Sequence, residues 1–297
     1  MITTPFTHLS QWISYLIEQD TPILAHTRTE MNDYRNRIDD IGLREIGALI
    51  RHDPLLTLNI LRYQEAHRLT RQTTDVTTIE RVLLMIGIDG FFRSFGAIPS
   101  IETLPDIQKV AIIGTHRTCA RSYLASLLAE RLSNYRRDIE PNEVITAALL
   151  HDTAEILVWL ASPRQMMMIQ EMLRSNPSMR SSEVQRKFLG CTLNEIQQGI
   201  VEKWHLPRTL LHLIDDAYAE EPRVHIVNLS VKIARHLEKG WDTPFLQDDI
   251  QQCAKLLNLT PELVYEQIRS VALLAAKNWH WYDESPAAAQ LIRHDQE

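Results

Sequence analysis

Apolar residues recur at three- and four-residue spacing along almost the whole chain, whereas strict alternation is hard to find and only nine of 297 residues are glycine. A chain with that period can bury its apolar positions only by packing helix against helix, so the sequence predicts an all-α fold. In "GLREIGALIRHD" Leu43, Ile46 and Ile50 share one face. In "PLLTLNILRYQEAH" Pro54 takes an allowed first-turn position, and Leu55, Leu58 and Leu61 form one apolar row beside a second of Leu56 and Ile60. A first helix is expected near residues 9–18. The segment "DVTTIERVLLMIGIDGFFRSFGAI" reads as two short helices broken between Gly87 and Gly90, with Asp75 or Thr77 as the cap.

"PSIETLP", residues 99–105, carries two prolines and little periodicity, and it marks the expected boundary between an N-terminal helical lobe, 1–104, and a second helical lobe, 105–297. Beyond it, "IQKVAIIGTHRTCARSYLASLLAERL" predicts a long helix, and a further helix is expected from Pro141 to Pro163. The spacing also predicts helices over 182–204, 208–218, 222–238, 246–257 and 261–278. With 44% apolar residues such a chain can build one large core or two smaller ones. The formal charge of −7 gives no electrostatic reason to expect nucleic acid as a partner. The start "MITTPFTHLSQW" lacks the pattern of a secretory signal, no uninterrupted apolar run reaches membrane length, and Cys119, Cys191 and Cys253 form no CxxC pair. A reducing cytoplasm is the expected setting.

In "ITAALLHDTAEILVWLASP" a polar pair, His151 and Asp152, interrupts an apolar helix. Burying an imidazole and a carboxylate there requires a hydrogen-bond, ion-pair or metal partner. Glu155, one turn on, can serve as an Arg or His partner or as an acid or base. Asp215 and Asp216 sit in an acidic, turn-like stretch and read as a solvated helix end, and His205 and His212 lack the i, i+4 spacing of a helical metal pair. Met166 to Met168, Trp159, Trp204 and Trp241 read as core filling. Trp279 and Trp281, in "NWHWYDESP", either present an aromatic contact surface or fold back on the core. Phosphate-loop, dinucleotide and hydrolase-elbow motifs do not occur.

Four stretches, "RHDPLLTLNILRYQEA", "TTIERVLLMIGIDGFFRSF", "AALLHDTAEILVWLASP" and "LGCTLNEIQQGIVEKWHLPRTLL", resemble in order and spacing the landmarks of the HDOD domain family. The resemblance covers about residues 9–240 and implies a signalling output module related to HD-type metal-dependent phosphohydrolases. Active members of that superfamily hold metal through an early His, the His-Asp doublet and a distant Asp. Here His116 and His151-Asp152 match the first of these positions. Leu193 occupies a slot where related sequences often place a His, no His lies between Asp215 and Tyr218, and Val231, or with a small register change Asn228, falls where the final Asp belongs.

Leucine and valine cannot ligate a metal. The resemblance therefore implies a catalytically inactive regulatory module that needs no cofactor and binds a protein partner or small ligand, with His116, His151 and Asp152 as a polar cluster. The alternative is a degenerate phosphohydrolase in which those three residues hold one divalent metal and act on a nucleotide or other phosphoester.

Overall fold

The computed structural model describes residues 2, 4–67, 78–176 and 178–291. The expected caps Asp75 and Thr77 lie outside them. Each amphipathic segment buries its stripe against another helix, which gives fifteen α-helices among the described residues. The first five are α1 Leu9–Glu18, α2 Ala25–Asn36, α3 Leu43–Arg51, α4 Pro54–Ala66 and α5 Ile79–Phe95. The central five are α6 Lys109–Ser133, α7 Pro141–Leu150, α8 Thr153–Ala161, α9 Pro163–Ser175 and α10 Ser181–Leu189. The last five are α11 Leu193–Lys203, α12 Arg208–Leu213, α13 Pro222–Leu237, α14 Pro244–Leu257 and α15 Pro261–Ala276.

The long helix α6 is the spine, flanked by α7, α8, α13 and α15. Its buried positions run round much of its circumference, including Cys119, Ala125, Leu128 and Leu132. The helices α3, α4 and α5 pack on one another, α4 also touches α6 and α7, and α1 reaches α11. One apolar core therefore runs through the N-terminal helices and the rest. Residues 99–104 are tied to the N-terminal helices, because Ile23 and Ser100 form an isolated β-bridge. Asp53 is fully buried, yet its carboxylate accepts from the backbone N–H groups of Leu24, Leu55 and Leu56. It thus caps α4 and fixes the chain entering α2.

Several boundaries differ from those expected. α2 was not foreseen, because "AHTRTEMNDYRN" is polar and only Thr27 and Met31 are buried. The helix expected over 182–204 is two, α10 and α11, separated at Gly190, whose φ of +76 ends α10 and where a side chain would meet the Thr7 carbonyl. The 208–218 segment stops as an α-helix at Leu213 and resumes as a 3-10 turn, Asp216–Tyr218. The break inside 79–95 is at Gly87, with φ of +68. Of the methionine run only Met166 is core; Met167 and Met168 are 40% and 50% exposed.

The most consequential difference concerns Pro141 to Pro163. This is not one helix but two, with the His-Asp doublet at the break: Asp152 has φ −98 and ψ 18. A break in a buried helix strands backbone groups, and a side chain from α11 takes them. Gln197 Nε2 donates to the Leu150 carbonyl at 3.0 Å, and its Oε1 accepts from the Ala154 N–H at 2.6 Å. Thr153 Oγ1 adds a second bond to the Leu150 carbonyl. The stretch Pro141–Ala161 is long and apolar enough to cross a membrane, but 83% of its most apolar window is buried inside the protein.

The C-terminal segment folds back over the N-terminal helices. Trp281 stacks on His52 with ring centroids 4.3 Å apart and meets His26 edge-on, and the Tyr282 hydroxyl donates to the His52 carbonyl. Burial, with His26 and His280 adding to it, pushes the His52 imidazole down to about 4.

Two measurements follow. Gln197→Leu leaves the Ala154 N–H unpaired and the Leu150 carbonyl with Thr153 Oγ1 alone, and it is expected to cost about 1–3 kcal/mol in urea denaturation. For His52 the folded state holds the neutral ring, so its contribution is whole above the ordinary value of 6.5 and is lost as pH falls toward about 4. His52→Phe keeps the stack without titrating, and it is expected to flatten the fall in stability across that window.

Candidate functional site

The break at residues 151–152 lays the doublet against the middle of α6 and the end of α13. Asp152 is 4% exposed. A carboxylate that deep needs compensating charge, and two guanidiniums supply it. Arg121 of α6, itself buried, reaches Asp152 Oδ2 through Nε at 2.9 Å and Nη2 at 2.7 Å. Arg235 of α13 donates to Asp152 Oδ1, and His151 Nδ1 lies 3.0 Å from the same oxygen. Both oxygens of the doublet's carboxylate are therefore engaged.

Arg121 is shared further. Its Nη2 also donates to Glu155 Oε2 at 2.7 Å, and its Nη1 donates to Glu238 Oε2 at 3.2 Å. The cluster thus sets three carboxylates against two guanidiniums. Burial disfavours the charge on Arg121, but Glu155, Glu238 and Asp152 outweigh it and hold the group well above its ordinary value. Burial would likewise push Asp152 up, yet Arg235 and Arg121, helped by His151, keep its carboxyl well below the usual range. Glu238 moves the other way: burial raises it, and the nearby Glu155 and Asp152 add to the rise against the pull of Arg121.

The sequence-expected residues divide between two places. His151 and Asp152 are in contact, and Glu155 joins them through Arg121. His116 is engaged elsewhere: its Nε2 lies 2.8 Å from Glu102 Oε1, and that contact brings the Glu102 carboxyl below its ordinary value despite burial. Val231 is buried in the apolar core and Leu193 packs against it. Asn228 donates to Asp216, Asp215 caps the short turn that follows it, and His212 pairs with Glu221. Trp159 and Trp241 are core residues, whereas Trp204 lies under the Arg62 guanidinium. The late pair splits: Trp281 is buried and Trp279 is 53% exposed.

A metal would need at least three of these donors to converge with lone pairs free. Among the described residues no three His, Cys, Asp or Glu side chains are grouped in that way. Asp152 would first have to release two guanidiniums, and His116 would have to leave Glu102. The residues as arranged do not fit a divalent cation.

Sequence reasoning missed Arg121, Arg235, Glu238 and Glu102. One signal was present. Arg121 interrupts the apolar face of "CARSYLASLL" between Ala120 and Tyr123, and a charged residue among buried neighbours implies a buried partner.

Comparison with known proteins bears on the fold. A response regulator, MmoQ of Methylococcus capsulatus strain Bath, superposes with a TM-score of 0.62 at 17% identity, covering 84% of this chain and 98% of that one. A virulence factor of Campylobacter jejuni subsp. jejuni gives 0.61 at 16% identity, covering 91% and 99%. At such identities the likeness shows the fold. No curated protein matches. The HDOD domain model matches residues 22–220, more than half of the chain, with the doublet and the Gln197 clamp inside the matched span. The chain belongs to the HDOD domain family.

Proposed function

We propose that this protein is a bacterial-type signal-transduction module that works by binding a protein partner or small ligand and performs no hydrolysis. One observation carries the reading: the carboxylate of the His-Asp doublet is saturated by Arg121, Arg235 and His151. Hydrolysis in HD-type enzymes depends on a metal that lowers the pKa of bound water. A guanidinium has no open coordination position for water, and it stays protonated, so it can neither generate hydroxide nor accept its proton. Leu193 and Val231 at two ligand positions support the same conclusion. The name of the MmoQ relative, a response regulator, supports a place in signalling. Three free, buried cysteines suit a reducing compartment, and the cytoplasm is the proposed setting.

The decisive experiment is metal analysis of protein purified without chelator, combined with phosphoesterase assays on nucleotides and generic phosphoesters. The expected result is no stoichiometric metal, no turnover with added manganese, iron, zinc or magnesium, and a melting temperature insensitive to EDTA. Stoichiometric metal together with turnover that disappears in Asp152→Asn would overturn the proposal. Independently, Arg121→Ala takes the guanidinium from Glu155 and Glu238 and leaves Asp152 with Arg235 and His151 alone, and it is expected to destabilise the fold by about 3–5 kcal/mol, read by chemical denaturation.

A further inference from the structure

Arg121 and Glu238 do more than close the charge cluster, for both also line a cavity of about 520 Å³ between α6, α13, α15 and the C-terminal segment. The cavity exists because four facing positions on those helices are alanines: Ala120, Ala234, Ala272 and Ala275. Any larger side chain there would fill the space. Aromatic rings line it too: Tyr123 and Tyr282 are buried in the wall, and Trp279 is 53% exposed. Arg117, Lys239 and Glu284 line it as well, so the pocket joins small apolar walls and one exposed aromatic ring to charged groups, and its volume falls within the range of small-molecule sites.

The floor has a definite hydrogen-bonding character. Arg121 Nη1 donates one N–H to Glu238 Oε2 at 3.2 Å. The same nitrogen carries a second N–H, and Glu238 carries a second oxygen. Glu238 keeps 32% of its side chain accessible and lines the cavity. A donor and an acceptor therefore stand side by side at the floor, held in place by the buried cluster behind them. Their complement is a ligand edge with an adjacent acceptor and donor, as in an amide or lactam.

We propose that this cavity binds a planar heteroaromatic ligand bearing an amide-type edge, N–H beside C=O. The edge pairs with Glu238 and Arg121, and the ring lies against Trp279 over the alanine wall. Nucleobases and simple aromatic amides share this chemistry. The cavity straddles the limit of residues 22–220 that match the family: Arg121 and the α6 wall lie inside it, and the lining from α13 onward lies beyond it. The proposal rests on the binding-module reading above and specifies its ligand.

The test is titration of the full chain by calorimetry and by tryptophan fluorescence with three probes. Inosine carries the N–H beside C=O edge on a purine, nebularine is the same nucleoside without that edge, and benzamide is an aromatic amide without a sugar. Saturable binding of inosine, at least about tenfold tighter than nebularine, is expected, because nebularine has no N–H for Glu238 and no carbonyl for Arg121. Whether benzamide competes separates a site for nucleobases from one for aromatic amides in general. Ala275→Phe, which fills the cavity, is expected to abolish binding. Trp279→Ala, at an exposed position where folding is not at stake, is expected to weaken it about tenfold by removing a stacking face.

No saturable response to inosine or benzamide, equal affinity for nebularine, or unchanged binding in both variants overturns the proposal. The metal and phosphoesterase measurements on the same preparation keep the two readings apart. A metal-free, inactive protein that ignores every probe overturns this inference alone, whereas metal-dependent turnover overturns the binding-module reading itself.

Discussion

The contact between Arg121 and Asp152 is the constraint on which the centre of this molecule depends. A carboxylate 4% exposed cannot remain ionised without opposite charge at hydrogen-bond distance, and a guanidinium from the spine helix supplies it through two N–H groups. Once Arg121 is drawn in, it must itself be neutralised, which recruits Glu155 from α8 and Glu238 from the end of α13. Three elements distant in sequence are thereby fixed to one another by a single side chain. The break between α7 and α8 is part of the same device. With its helix interrupted at residues 151–152, the chain sets the doublet at a turn facing α6, and the Gln197 amide satisfies the backbone that the interruption exposes.

The helical layout was legible because apolar spacing is a local property. α1, α4 and α6 fall where periodicity, Pro54 and the long apolar run place them. α2 escaped because tertiary contacts hold a polar segment that has little apolar stripe to announce it. The break in the doublet helix escaped for a different reason. Nothing in "ALLHDTAEIL" forbids a continuous helix, and what makes the interruption tolerable is a glutamine more than forty residues away. The doublet itself was legible as a buried polar pair needing a partner. Its partner was not, since a single arginine in a helix identifies no carboxylate until the helices are packed, and His116 was read toward the doublet although it pairs with Glu102.

The cluster also crosses the limit of the family match. Asp152, Glu155 and Arg121 lie within residues 22–220, but Arg235 and Glu238 come from beyond them. The helices α13 to α15 are thus electrically part of the domain and not an appendage. They complete the neutralisation of the doublet, and their alanine faces leave open the cavity beside it. The C-terminal segment then closes over the N-terminal helices through Trp281 on His52, so one continuous body joins the first helices of the chain to its last.

On the proposed reading, charge explains how such a centre can do without a metal and keep the fold. Arg121 and Arg235 together bring two positive charges to Asp152, the same formal charge as one divalent cation. The electrostatic requirement of the buried carboxylate is met in either case. What differs is chemistry and exchange. A cation bound by protein ligands can keep an open position, activate water and dissociate with pH or chelator. Guanidiniums are covalently part of the chain, remain protonated and direct their N–H groups in a fixed plane. Substituting one for the other turns a reactive, exchangeable centre into a permanent rigid one. On the binding-module reading proposed above, the surrounding surface then presents a donor and an acceptor in a set orientation, which is the requirement for recognition.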